Sequence, residues 1–300
     1  MKKVKILILG GTKFLGIELL RKLNADTSME VHVASRRDIG VPDFHHIDRK
    51  TEKDLVNLFA EQSFDIVVDF ISFSQPDAFK LINAINLKMK VQPFLITISS
   101  TYVYGNPLEL KVDKIYDEDS FAPIIYKYSG LDRPEVDYFE GKKSMESFIA
   151  RNYENHLVVR FPIILGSNDY TGRTTYFSNL IMNASTLHFD NQYGKSNFIF
   201  SLEAAEILHQ LILCRLKGAI NCTMDARLNQ NDILSLYCQY YNYPIQNILD
   251  DSTSVVKSPF YYRKDFIIDN SRLRELFTFK TSFDSALFRE LDLLQQNRIN

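Results

Sequence analysis

No stretch of this sequence is apolar for long enough to cross a bilayer, which takes ~20 consecutive residues. Nor does charge of one sign dominate: 35 Lys and Arg stand against 37 Asp and Glu, a formal net charge of -2. The first absence excludes a helical membrane span, and the second removes the electrostatic ground for nucleic acid or an anionic membrane as partner. Cysteine is scarce. Cys214, Cys222 and Cys238 are odd in number and lack metal-ligand spacing, so they read as free thiols of a reducing compartment. The six histidines are scattered, His45-His46 beside a predicted strand included, and they form no triad that would predict a metal. Internal repeats and low-complexity tracts are missing too. The apolar start Val4–Leu9 is interrupted by Lys5 and ended by Gly10-Gly11. A secretory signal needs an apolar core of ~7–15 residues and a cleavage site, so a buried parallel strand is the better account and a cytoplasmic location is expected.

What is present is an ordinary globular composition, 45% apolar and 24% charged over 300 residues, enough for one large α/β domain or a nucleotide domain with a smaller partner. Apolar runs predict strands at Val4–Leu9, Glu30–Ser35, Phe44–Ile47, Asp65–Ile71, Phe94–Ile98 and Leu157–Phe161. Between them the periodicity predicts helices near Gly16–Leu23, Thr51–Glu61, Pro76–Lys88 and Tyr138–Asn152. This alternation predicts an α/β fold, a Rossmann doubly wound parallel sheet. Beyond Gly166 the rhythm loosens, with helices at Leu202–Leu216 and Gln230–Tyr241 and a strand at Ala219–Thr223. The expected division is a dinucleotide-binding domain of residues 1–166 with about 198–228, and a smaller C-terminal substrate-binding domain of about 167–197 with 229–300. The tyrosine-rich Tyr237–Tyr243 is expected to be a packing surface.

Gly10-Gly11-Thr12-Lys13-Phe14-Leu15-Gly16 follows a predicted strand and opens a predicted helix, the context a phosphate-binding loop requires. Gly10 would make the tight turn, Gly16 would let helix and strand pack closely, and backbone N–H groups at the helix start would receive a pyrophosphate. Lys13 stands where a middle glycine is usual; it either offers charge to a phosphate or is a solvated surface residue. NAD selectivity needs an acid at the end of the second strand. That strand ends Ser35-Arg36-Arg37, and guanidiniums suit a 2′-phosphate, which favours NADP over NAD. Asp48, after the third strand, is a candidate acceptor for the adenine amine.

Tyr138-Phe-Glu-Gly-Lys142 is the one Tyr-x-x-x-Lys in the chain and opens a predicted helix, so both side chains share a face. A phenol titrating near ~10 is a poor acid or base at neutral pH, and a nearby ammonium brings it toward the working range. The fifth strand ends Ser99-Ser100-Thr101, where the Ser100 hydroxyl can reach a substrate oxygen or satisfy backbone groups of a turn.

Taken in order, the loop Gly10–Gly16, Val67-Val-Asp69 with Pro76-Asp77-Ala78, Ser99-Ser100 with Val103-Tyr104-Gly105, Tyr138 with Lys142 and Glu146, Val159-Arg160-Phe-Pro162 with Gly166, and Asp269-Asn-Ser271 resemble the extended short-chain dehydrogenase/reductase superfamily, its NAD(P)-dependent epimerase/dehydratase group. The closest flavour is an atypical branch with a basic residue in the loop, whose members include RNA-associated proteins. The resemblance implies an enzyme acting on a carbinol or carbonyl carbon of a small molecule such as a sugar or sugar nucleotide. Tyr138 is then its acid/base, Lys142 the ribose and electrostatic partner, and Ser100 the assisting hydroxyl. It further implies cofactor contacts from Ile71, Ser72 and Lys142, a nicotinamide site lined by Phe161, Pro162 and Ile163, and a homodimer through the helices beginning near Pro76 and Tyr138. The other reading of the same branch is a non-catalytic dinucleotide-sensing or RNA-associated protein. Where related sugar-nucleotide epimerases carry a phosphate-binding Arg and a His, this sequence has Ser196 and Phe200, with Lys195 alongside. Arg173 and Arg263 are other candidate anion anchors, and Tyr126, Tyr128 and Arg133 precede Tyr138 in a connection that could reach a substrate.

Overall fold

A computed structural model describes residues 2–127, 137–183, 187–189, 194–244, 248–250 and 258–299. Two compact units emerge, each assembled from three segments. The first comprises Met1–Tyr104, Glu118–Phe161 and Leu202–Cys222. Its strands are β1 (Val4–Leu9), β2 (Met29–Ser35), β3 (Phe44–His46), β4 (Ile66–Asp69), β5 (Phe94–Ser100), β6 (His156–Phe161) and β7 (Gly218–Asn221). Every pairing among them is parallel, in the order β7-β6-β5-β4-β1-β2-β3. The order reverses between β1 and β4, and in doubly wound sheets a ligand binds at the carboxyl ends of the strands at such a point.

The helices are α1 (Leu15–Ala25), α2 (Glu52–Glu61), α3 (Gln75–Lys88), α4 (Tyr138–Asn152) and α5 (Ser201–Cys214). Alternate residues of the strands feed one cluster: Leu7, Leu9, Val67 and Leu95 pack with Leu55, Leu58 and Phe59 of α2, Leu81, Ile82 and Ile85 of α3, and Met145 and Ile149 of α4. Two polar pairs join α1 to α5, Lys22 with Glu206 and His209 Nε2 with Asp26 Oδ2 at 3.2 Å. α3 starts on a capping box in which Ser74 and Asp77 satisfy each other's backbone N–H, with Pro76 in the first turn. The predicted strand Asp65–Ile71 stops earlier, at Asp69, because the Asp69 carboxylate accepts the N–H groups of Ile71 and Ser72 and turns the chain.

The second unit comprises Gly105–Asp117, Pro162–Ser201 and Thr223–Asn300. Its central strand Ser196–Phe200 pairs parallel with Ile163–Leu165 and Phe266–Ile268 and antiparallel with Arg227–Leu228, while Phe266–Ile268 pairs parallel with Lys114–Tyr116. Phe177, Phe198, Phe200, Phe260 and Tyr237 form a buried aromatic core, and the Tyr237 hydroxyl donates to the Thr174 carbonyl at 2.6 Å. No helix among the described residues is long and apolar enough to cross a membrane.

Candidate active site

The loop after β1 carries left-handed backbone at Gly10 (φ +78°) and Gly11 (φ +66°). A Cβ on Gly10 would lie 2.5 Å from Ile71 Cγ2, and one on Gly16 would lie 2.2 Å from the Gly11 backbone. Gly16 therefore lets α1 close onto the loop itself, where closeness to the strand was expected. In place of the missing middle glycine, Phe14 takes positive φ (+46°), and Lys13 is exposed. α1 starts without a side-chain cap. The Gly16 and Ile17 N–H groups donate to the Lys13 and Phe14 carbonyls, each at 3.0 Å, so what suits a pyrophosphate is the close backbone approach at Gly10 and Gly11 beside Thr12 and the positive end of α1.

At the end of β2 the buried Ser35 hydroxyl donates to the Arg37 carbonyl at 2.7 Å and accepts from the Arg37 N–H at 3.1 Å. That turn presents Arg36 and Arg37 to solvent, and among the described residues neither guanidinium has a hydrogen bond or ion pair. Such a pair can take a phosphate bidentately. Asp48 is half-buried, and its Oδ1 accepts the Lys50 N–H at 3.0 Å. It therefore shapes the turn into α2 and does not simply face outward. The glycine loop, the start of α1 and the two guanidiniums of Arg36 and Arg37 would together fit the phosphates of a dinucleotide.

Lys142 and Tyr138 lie one turn apart on α4, whose start is capped by Asp137 accepting the Glu140 N–H. Tyr138 is 44% exposed, its ring near Phe73 and Tyr102. Lys142 is buried, and its Nζ donates to the Ser72 carbonyl at 2.9 Å and the Ile98 carbonyl at 2.8 Å, beyond β4 and within β5. Burial pushes its ammonium down to about 8, with Asp69 and Glu146 pulling the other way. Gly141 makes room for this helix, since a Cβ there would lie 2.8 Å from the Phe73 ring. Ser100, at the end of β5, accepts the Tyr102 N–H at 3.2 Å, opening the turn Thr101–Tyr104. Its hydroxyl so satisfies a backbone group and still has a proton to donate. Phe161, opposite Ser100 in register, ends β6 buried. Pro162 and Ile163 belong to the second unit, where Ile163 pairs with Phe198.

Two buried ion pairs escaped the sequence reading. Arg49 donates to Asp69 Oδ1 at 3.1 Å and to the Asp77 carbonyl at 2.9 Å. Arg160, fully buried, donates to Glu146 Oε2 at 2.7 Å, to the Tyr104 hydroxyl at 2.9 Å and to the Glu118 carbonyl at 2.9 Å, while Ser99 donates to Glu146 Oε1 at 2.5 Å. The available signal was a charge inside an apolar run, as in Val158-Val159-Arg160-Phe161 and Val67-Val68-Asp69, because a charged group so placed needs a buried partner. Tyr126, on the approach to α4, hydrogen-bonds the Glu140 carboxylate, and Tyr128 and Arg133 lie outside the described residues. In the second unit Ser196 is buried, its hydroxyl donating to the Phe266 carbonyl at 3.0 Å, and Phe200 is core. Neither position presents a polar group to a ligand. Arg263 is exposed, Arg173 half-buried, and neither guanidinium has a partner among the described residues.

A family model described as the RmlD substrate binding domain matches residues 4–196. Among solved structures, dTDP-glucose 4,6-dehydratase of Bacillus anthracis in complex with NAD is similar at a TM-score of 0.77 and 12% identity, over 99% of this chain and 98% of that one. UDP-glucose 4-epimerase of Thermotoga maritima with UDP-glucose gives 0.73 and 16%, over 99% and 100%. The dTDP-4-dehydrorhamnose reductase of Bacillus anthracis in complex with NADP gives 0.68 and 16%, over 98% and 100%. These likenesses establish the fold. No curated protein matches the sequence.

Proposed function

The chain belongs to the family of the RmlD substrate binding domain, within the extended short-chain dehydrogenase/reductase superfamily, and from that premise we propose that it is a nicotinamide-dependent reductase or epimerase acting on a carbinol or carbonyl carbon of a sugar-related small molecule. The observation that carries this reading is Lys142, whose buried ammonium is held by the Ser72 and Ile98 carbonyls one helical turn from Tyr138. When bound, the nicotinamide dinucleotide supplies the hydride donor or acceptor. Tyr138 gives a proton to the substrate oxygen or takes one from it. Lys142 stabilises the phenolate that results, and the Ser100 O–H donates to the same oxygen. In this reading no metal takes part.

NADP is the preferred cofactor, on the support of the two unpaired guanidiniums Arg36 and Arg37 and of β2 ending without a carboxylate. Gly10 to Gly16 hold the pyrophosphate, Asp48 and Ile71 border the adenosine half, and Ser72, Lys142 and Phe161 border the nicotinamide half, as do Pro162 and Ile163 by the family pattern. A homodimer through α3 and α4 is part of the reading. Its support is the half-exposed Phe79 of α3, which lies edge-on to Phe148 of α4 with ring centroids 5.9 Å apart.

Fluorescence titration with NADPH and NADH tests the cofactor and the mechanism together. The native protein is expected to bind NADPH more tightly, and Arg36→Asp to reverse or abolish that preference. Tyr138→Phe should bind NADPH as the native protein does and lose turnover by about 10²–10⁴. Tighter binding of NADH by the native protein refutes the NADP assignment, and full turnover in Tyr138→Phe refutes the mechanism.

A further inference from the structure

We propose that Asp69 is the positioning residue for Lys142: from the end of β4 its carboxylate folds the Phe70–Ser72 turn so that the Ser72 carbonyl faces Nζ, and its charge holds the buried ammonium in place. The inference rests on the reading of Lys142 as the partner of Tyr138.

Asp69 has no exposed surface. Its Oδ1 accepts the N–H groups of Ile71 at 2.9 Å and Ser72 at 3.0 Å and the Arg49 Nη1 at 3.1 Å. Its Oδ2 accepts the Ser72 hydroxyl. Three of these bonds fix residues 71 and 72, and the next bond in the chain is the one from Lys142 Nζ to the Ser72 carbonyl, at 2.9 Å. The path Asp69–Ser72–Lys142 therefore links the sheet's switch point to the ammonium of α4. A neutral amide at position 69 could still accept the two N–H groups through one oxygen. It could not supply a negative charge.

The charged groups around Lys142 come from four places. Asp69 of β4, Glu146 of α4 and Asp77 of α3 favour its ammonium, and Arg49, from the connection after β3, opposes it. Asp69 is the foremost of the favourable charges. Arg49 also ties Asp69 to the start of α3 through the Asp77 carbonyl. The carboxylate is thus shared between two cations, and removing either partner changes what the other feels. This arrangement separates a structural role from an electrostatic one. Asp69→Asn keeps the volume and the turn and removes an attracting charge. Arg49→Met removes a repelling charge and leaves Asp69 to Lys142.

The test is NMR titration of the Lys142 side chain, using protein labelled at lysine Cε and Nζ with no nicotinamide present and Lys142→Met for assignment. Asp69→Asn should move the Lys142 midpoint down by roughly one unit or more, and Arg49→Met should move it up. Asp77→Asn should move it down by less. In turnover measurements the alkaline loss of activity should follow the midpoint in each variant. An unmoved midpoint in Asp69→Asn, or a shift of the same sign in Asp69→Asn and Arg49→Met, overturns the proposal. Should Asp69→Asn not fold, an unmoved or lowered midpoint in Arg49→Met overturns it alone. Full turnover in Lys142→Met would instead overturn the underlying reading of Lys142, so the two failures are distinguishable.

Discussion

A lysine enclosed by backbone carbonyls has to give up most of its hydration, and the Ser72 and Ile98 oxygens return only part of it. The measure of what is lost is the fall of the Lys142 ammonium to about 8, caused first by burial and offset in part by Asp69 and Glu146. The ordinary value is about 10.4. Between those two values the unfolded chain binds the proton that the folded chain has released, so stability rises with pH across that window. Below pH about 8 both states are protonated, and the full burden of burying the charge is present. Its size is about 3 kcal/mol, taking 1.36 kcal/mol for each unit. Lys142→Met removes the titration. The unfolding free energy of the native protein should therefore gain on that of Lys142→Met by about 3 kcal/mol between pH 7 and pH 10.5, read from urea titrations at each pH. A difference between the two proteins that does not change with pH would show that burial exerts no such pressure on Lys142. In the proposed mechanism this burden has a use, because an ammonium held by fixed dipoles needs no reorganisation when a phenolate forms beside it.

At the scale of elements, α4 bears the proposed reacting pair, Tyr138 and Lys142, at its start and is fastened to the sheet further along. Glu146, one turn beyond Lys142, meets Arg160 of β6 in the interior, and Arg160 stacks over the Tyr104 ring with its guanidinium carbon 5.2 Å from the centroid. The Tyr104 hydroxyl passes the network on to Asn221 Oδ1 of β7 at 2.6 Å, and Glu118 accepts the Asn221 N–H at 2.7 Å. Removing one member of a buried pair leaves the other charge uncompensated, while replacing both with apolar groups can be near neutral. Arg160→Met should therefore lower stability by about 3–5 kcal/mol, and the double variant Glu146→Leu with Arg160→Met should recover much of that loss in urea unfolding. Additive losses in the double variant would mean that the two side chains do not act as a pair. This network marks where the sequence stops being legible. The seven strands and five α-helices among the first unit's described residues announce themselves as short apolar runs and as 3.6-residue periodicity, and Gly10–Gly16 and Tyr138–Lys142 are local patterns on such elements. Arg49 with Asp69 and Arg160 with Glu146 are assembled from separate elements, so no spacing along the chain reveals them. The same holds for the second unit's sheet, in which Lys114–Tyr116 pairs with Phe266–Ile268 across about half of the chain's length. Phe14 is a different case. A missing middle glycine can be read from the sequence, but which neighbour then takes the left-handed backbone is decided by how α1 packs.

At the scale of the whole molecule, α3 and α4 would have a second duty in the proposed homodimer. Their inner faces supply Ala78, Leu81, Ile82, Ile85, Met145 and Ile149 to the core, and α3's outward side carries Phe79, 50% exposed, and Leu87, 62% exposed. Large apolar side chains exposed on one helix are candidates for a self-complementary contact, because a two-fold axis brings the same patch from each copy together. Half the surface of a phenylalanine, buried afresh in each of two copies, contributes about 2 kcal/mol in all. That is enough to matter among the contacts of a dimer and too little to hold one alone. A carboxylate in the same place would have to be buried without a partner. Phe79→Glu is therefore expected to shift the mass measured by light scattering from dimer toward monomer at micromolar concentration. Its circular dichroism and NADPH binding should stay close to native, since Phe79 takes no part in the loop, the Tyr138–Lys142 pair or the arginines after β2. A native protein that scatters as a monomer at high concentration would remove the dimer from the reading and leave the chemistry at Tyr138 and Lys142 unaffected.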